Sequence, residues 1–289
     1  MSPNVFLPFL SSFLSFVFAG LVFDQWLHRR KMHQLIWTVG MLWFGISAGT
    51  EFLGGAFGWN LALYRWWYLI GAICVAAYLG LGTIYLLSRG GFGWWAIGSL
   101  VIGAMPAVFS GYLALGLSAL GVAVLLALVR WQRPAWFAHA FLAAMVAGTL
   151  YAAVVVFSAP VPVSALPANS DQIVNGQGFP PYVRIITPLF NSTGGFSLVF
   201  GAVYSAYYFW RSRTNAHRMV SNVLIAAGAF IPVVTGMLSR FGMTGTFFIG
   251  ELLGVLVIFV GFLISAEVFA TYRIPGRGQV QRTRGAQGG

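Results

Sequence analysis

The sequence predicts an all-α fold, a polytopic transmembrane helix bundle of about nine spans with its N-terminus outside and its C-terminus inside. Three observations predict it. Of 289 residues, 59% are hydrophobic and 7% are charged, against about 25% charged in an ordinary soluble domain. The apolar residues fall in runs close to the ~20 needed to cross a bilayer. The basic residues gather between alternate runs, as the positive-inside rule requires. A net charge of +11 would suggest nucleic acid in a soluble domain. Here the arginines lie between apolar runs, so the charge is a topology signal and no nucleic acid is expected.

The first span covers about Phe6 to Phe23 and is closed by Asp24 and the Arg29-Arg30-Lys31 cluster. It lacks a basic leading region and a small-residue cleavage site, so it reads as an uncleaved span. The second covers about Leu35 to Gly54 and the third Tyr64 to Leu87. The apolar stretch from Trp94 to Val129 would be about 54 Å long as one helix, too long for the hydrocarbon core. Pro106 and Ser110-Gly111 mark a fold-back, which predicts two short helices and a tight turn. A further span covers Trp136 to Phe157. A polar outer loop follows over residues 158–194, with six prolines. The last three spans are Gly195 to Trp210, Met219 to Leu238 and Thr246 to Ala270. Residues 1–270 thus form the transmembrane helical domain. Residues 271–289, rich in Gly, Gln and Arg, form a disordered basic cytoplasmic tail.

This arrangement puts thirteen of the sixteen basic residues on the inner side and leaves Arg65, Arg184 and Arg240 outside. Fusing the two short helices would separate Arg89 from Arg130 and destroy the bias, so the charge pattern supports the hairpin. Ten of the eleven tryptophans lie near predicted interfaces, where the indole prefers to sit, and Trp43 is deep.

Two of the five acids fall within spans: Glu51 and Glu251, each in the outer third of its helix. A charge within the bilayer costs several kcal/mol and seeks a partner facing the bundle interior. Across short connections the candidates are Arg65 for Glu51 and Arg240 for Glu251. These four are the candidate ligand or ion-pair residues, either two ion pairs stitching helix hairpins or an outer-facing polar pocket. Glu267 lies near the inner end of the last span, where it can reach toward the tail arginines.

Other chemistry lacks its residues. Haem needs facing imidazoles within spans, and only His139 of His28, His33, His139 and His217 enters one. The single lysine, Lys31, lies in a loop, so no retinal Schiff base is expected. Cys74 is alone, and no metal, hydrolase or nucleotide motif occurs. No cofactor, metal or catalytic set is expected, and the chain reads as non-enzymatic. Small residues four apart, such as Gly45 and Gly49 or Gly250 and Gly254, predict close helix packing or a dimerisation face. Gly228, Pro232 and Gly236 predict a bent helix.

The stretch Met41 to Leu87, with Glu51 late in one helix and Tyr64-Arg65-Trp66-Trp67-Tyr68 opening the next, resembles bacterial multi-helix membrane proteins of unassigned role. So do Asn222 to Gly228 and Gly250-Glu251-Leu252-Leu253-Gly254. The first stretch is also similar to the seven-helix sensor modules found ahead of bacterial histidine kinases. Because the acids cluster near one face, the preferred reading is a receptor-like or accessory module of the inner membrane with an outer-facing polar pocket. A small transporter or channel using the intramembrane carboxylates, or a structural subunit of a membrane complex, are the alternatives. The expected partners are the lipid bilayer, with anionic lipid at the basic tail (about 1 kcal/mol per charge near the surface), and other membrane proteins.

Overall fold

The computed structural model describes residues 2–88, 90–168, 172–212, 216–240 and 246–264. Their regular elements are all helical: α1 (Pro3–Arg29), α2 (Met32–Phe57), α3 (Leu61–Leu87), α4 (Phe92–Phe109), α5 (Leu113–Gln132), α6 (Phe137–Ser158), α7 (Ile186–Ser212), α8 (Ala216–Arg240) and α9 (Phe247–Ile264). Seven of them, all but α2 and α8, are long and apolar enough to cross a membrane, so the chain is a multi-pass membrane protein. Helix α2 has the length, but Thr38, Ser47, Thr50 and Glu51 dilute its apolar character. In α8 only Val220–Gly236 is apolar.

The ends of these helices follow local rules. Pro3 sits in the first turn of α1, where its missing N–H is no loss. Arg30 closes α1 in the left-handed conformation and donates its N–H to the Trp26 carbonyl. Asn60 caps α3 by accepting from the Leu63 N–H at 2.9 Å. The expected fold-back between α4 and α5 is present, and Gly111 turns it at φ 83°. The tail from 265 onward, with Glu267, lies outside the described residues.

Short connections make successive helices antiparallel and give the bundle two ends. The basic end carries Arg29, Arg30, Lys31, Arg130, Arg133 and Arg211. The loop end carries Asn60, the α4–α5 turn and the segment 159–185. Helix α1 packs along α2, α8 along α9, and α3 along α2 and α7. A larger core centres on α3, α6 and α7 around Tyr64, Ile73, Phe137 and Val183. A smaller one joins Phe18 and Val22 of α1 to Met41, Leu79 and Val255. The glycines at helical spacing serve packing within the chain: Gly45 meets Phe16, Gly49 meets Ser12, and Gly254 meets Pro232. Helices α3 and α7 cross at backbone contact, since a Cβ on Gly194 would lie 2.1 Å from the Ala76 carbonyl oxygen.

Two features depart from expectation. Helix α7 begins at Ile186 rather than Gly195, so the connection after α6 contracts to 159–185. Pro188 is tolerated in the first helical turn. Thr193 in the polar stretch after it finds two partners: its Oγ donates to the Leu189 carbonyl at 2.6 Å, and its carbonyl accepts from Ser99 Oγ at 3.4 Å. The second is a π-helical stretch in α3, Tyr68–Cys74, closed by the Val75 N–H on the Ile70 carbonyl. Such insertions are uncommon and concentrate at functional sites.

Candidate functional site

The two intramembrane acids come together. Glu51 on α2 and Glu251 on α9 lie within hydrogen-bonding reach of each other. Glu51 is 3% exposed. Its Oε1 accepts from the Trp67 indole N–H at 2.7 Å. Oε2 of each carboxyl is buried and has no hydrogen-bond partner.

Helix register fixes the level of this pair. Phe9 and Phe52 meet at 5.2 Å, and Ser12 Oγ donates to the Gly45 carbonyl at 2.8 Å. Glu51 is therefore level with the Pro8–Ser11 turn of α1, in the third of the bundle nearest the loop end. Phe18 of α1 meets Phe259 and Phe262 of α9 in tilted ring contacts. Seven residues back is the same helical face, which turns Ser11 toward α9. Ser11 is 0% exposed, and its hydroxyl is buried without a partner. The two carboxyls and the Ser11 hydroxyl thus lie on adjoining helices at neighbouring levels.

The expected Glu51–Arg65 ion pair does not form. Arg65 Nη2 donates instead to the Ala159 carbonyl at 2.9 Å, and its Nε is buried without a partner. Two residues separate Arg65 from Trp67, about 200° of helical turn, so only one of them can face α2. Trp67 takes that place, and Arg65 pins the connection after α6. Arg240 closes α8, but its side chain lies outside the described residues, so its expected pairing with Glu251 does too.

Above the acids, toward the loop end, the 159–185 connection seals the site with aromatic rings. Phe179, 2% exposed, stacks on Tyr64 at 5.1 Å and 7° and meets Tyr68 at 4.3 Å. Tyr64 in turn stacks on Trp67 at 5.8 Å. The Tyr64 hydroxyl donates to the Asn175 carbonyl at 2.5 Å, and the Tyr68 hydroxyl pairs with Thr187 Oγ at 2.9 Å. A continuous stack, Phe179–Tyr64–Trp67, ends on the Glu51 carboxyl. Sequence reasoning did not foresee Trp67 as the partner of Glu51; the aromatic run Trp66-Trp67-Tyr68 was the available signal.

Below the acids, toward the basic end, lies an apolar cavity of about 90 Å³. Phe18, Val22, Met41, Leu79, Ile258 and Phe262 form its walls, and Thr83, Ser205 and Asn222 supply polar groups. Asn222 Nδ2 donates to Ser205 Oγ at 3.0 Å. Among the described residues no three His, Cys, Asp or Glu side chains gather as metal ligands.

Two carboxylates in contact away from water cannot both carry uncompensated charge; the arrangement calls for a proton shared between them or a cation beside them. No family model, no curated protein and no solved structure matches this chain.

Proposed function

We propose that this chain is a non-enzymatic plasma-membrane protein that takes up a cation, the proton included, at the Glu51–Glu251 pair and carries it across the bilayer. In this reading all nine long helices span, the loop end faces outward, and the basic end with the C-terminus faces the cytoplasm. The positive-inside bias supports that orientation. The observation that carries the proposal is the contact between two membrane-embedded carboxyls, each with a buried oxygen that lacks a partner. Intramembrane acids facing a bundle interior mark ion and proton pathways.

The test is flux in proteoliposomes loaded with a pH-sensitive dye, with and without an opposing cation gradient. Wild-type protein is expected to dissipate an imposed gradient, and Glu51→Gln and Glu251→Gln to abolish that dissipation while remaining folded. Equal flux in all three would overturn the proposal.

A receptor-like module is the second reading. The Phe179–Tyr64–Trp67 stack favours it, because it joins a segment reachable from outside to the buried acids. The same vesicles separate the two: a receptor binds at the pair without moving charge.

A further inference from the structure

Six of the long helices close into a ring. Helix α1 packs on α2, α2 on α3, α3 on α7, α7 on α8 and α8 on α9, and α9 returns to α1. The apolar cavity lies inside this ring, with all six helices contributing to its wall. It is separate from the carboxyl pair. Neither acid lines it, and Val255, one turn beyond Glu251, packs with Phe18 and Leu79 between the two. We infer that this cavity is a second binding site, for a small uncharged alcohol of about three carbon atoms. The inference goes beyond the cation reading and does not depend on it.

The walls exclude an ion. Among the described residues none that carries a charge lines the cavity, so a charged ligand would be buried without a partner at a cost of several kcal/mol. Met41, Leu79 and Ile258 favour hydrocarbon instead, by about 0.8 kcal/mol for each methylene removed from water.

One polar edge selects the functional group. Thr83, Ser205 and Asn222 come from three consecutive helices of the ring and sit toward its basic end. Asn222 Nδ2 donates to Ser205 Oγ at 3.0 Å. That bond fixes the amide and leaves the Ser205 O–H to donate and the Asn222 Oδ1 to accept. Neither has a further partner among the described residues. A ligand hydroxyl answers both through a single oxygen, whereas an ether answers only the donor and a halide neither. The Trp37 indole N–H is already committed to the Leu79 carbonyl at 3.1 Å.

Volume sets the length. An apolar void of about 150 Å³ takes benzene, a molecule of about six heavy atoms. In proportion the ≈ 90 Å³ here takes about four, a three-carbon chain with its hydroxyl. A lipid chain or a ring system is too large for it.

The experiment is ¹³C-methyl NMR of the full chain in lipid nanodiscs, read at Met41, which lines the cavity and is 2% exposed. Titration with 1-propanol is expected to shift the Met41 signal saturably. 1-Chloropropane, of equal length but without a hydrogen-bonding hydroxyl, is expected to bind about tenfold more weakly, although it enters the bilayer more readily. 1-Hexanol is expected to leave the signal in place. Ser205→Ala removes the donor and should lower propanol affinity to that of chloropropane, and Ala202→Leu should fill the cavity and abolish the shift. If either variant does not fold, the three probes on the wild type decide alone. A Met41 signal that no probe moves would make the cavity a packing void only and overturn the inference. Equal affinity for propanol and chloropropane, or hexanol bound as tightly as propanol, would overturn the assignment to a small alcohol.

Discussion

The indole N–H of Trp67 donates to Glu51 at 2.7 Å, so an acid expected to seek an arginine is held by a neutral ring. Stacking on Tyr64 fixes that ring from the other side. Trp67→Phe keeps a six-membered aromatic ring, loses the fused five-membered ring and removes the donor, which strands a buried carboxyl oxygen. Loss of such a partner costs about 1–3 kcal/mol. The expected outcome is a lower Tm in detergent, with the change suppressed when Glu51→Gln is also present, because the double substitution removes the acid that needs the bond. Additive effects of the two would show that the bond carries no coupling.

The contact between the carboxyls makes a second double-substitution cycle informative. In the absence of a cation, Glu51→Gln alone and Glu251→Gln alone are each expected to leave thermal stability unchanged or raise it, since an amide can donate to the remaining carboxyl without a shared proton and removes one buried ionisable group. The second substitution should add less than the first. A fall of several degrees in both single variants would mean that each carboxylate is held by a cation the structure does not contain.

Phe179 is the ring by which the 159–185 connection enters the aromatic stack. Phe179→Ala is expected to release that connection, with a loss of about 3–5 kcal/mol if its cavity stays unfilled. Limited proteolysis on the loop side should then cut between 166 and 180 at protease levels that leave wild-type protein intact. Unchanged cleavage would show that Arg65 and the Tyr64 hydroxyl hold the connection without it.

Adjacent glycines offer a control for the α3–α7 crossing. Gly194→Ala forces a Cβ onto the Ala76 carbonyl oxygen, whereas a Cβ on Gly195 meets nothing within 4 Å. Folded yield, read by size-exclusion chromatography, is expected to collapse in the first variant and to match wild type in the second.

How much of this was legible in the sequence depends on the range of the interaction. The helices themselves follow from apolar run lengths, and the α4–α5 hairpin follows from a stretch too long to span once. The start of α7 did not, because Asn191 to Gly195 is polar and glycine-rich and so looks like loop. Thr193 and Gly194 within it are nonetheless buried against α3 and α4, where Thr193 and Ser99 find partners in the backbone. The acids were legible as costly residues within the bundle, but their partners were not. Reasoning along the chain joins Glu51 to Arg65 across a short connection; the fold joins it to Glu251, two hundred residues away in sequence, because α1 packs on both α2 and α9. Nothing in the local sequence signals the π-helical stretch in α3.

That stretch has a further consequence. A π turn holds one residue more than an α turn, so Tyr68–Cys74 sets the phase of the residues before it against those after it. Deleting a single residue there would rewind the helix and swing everything before it by about 100°. The α3–α7 crossing at Ala76 and Gly194 lies beyond the deletion and would keep its place, while Trp67 would turn away from Glu51. The bond between Trp67 and Glu51 thus depends on a single extra residue in α3, whereas the bundle around it does not.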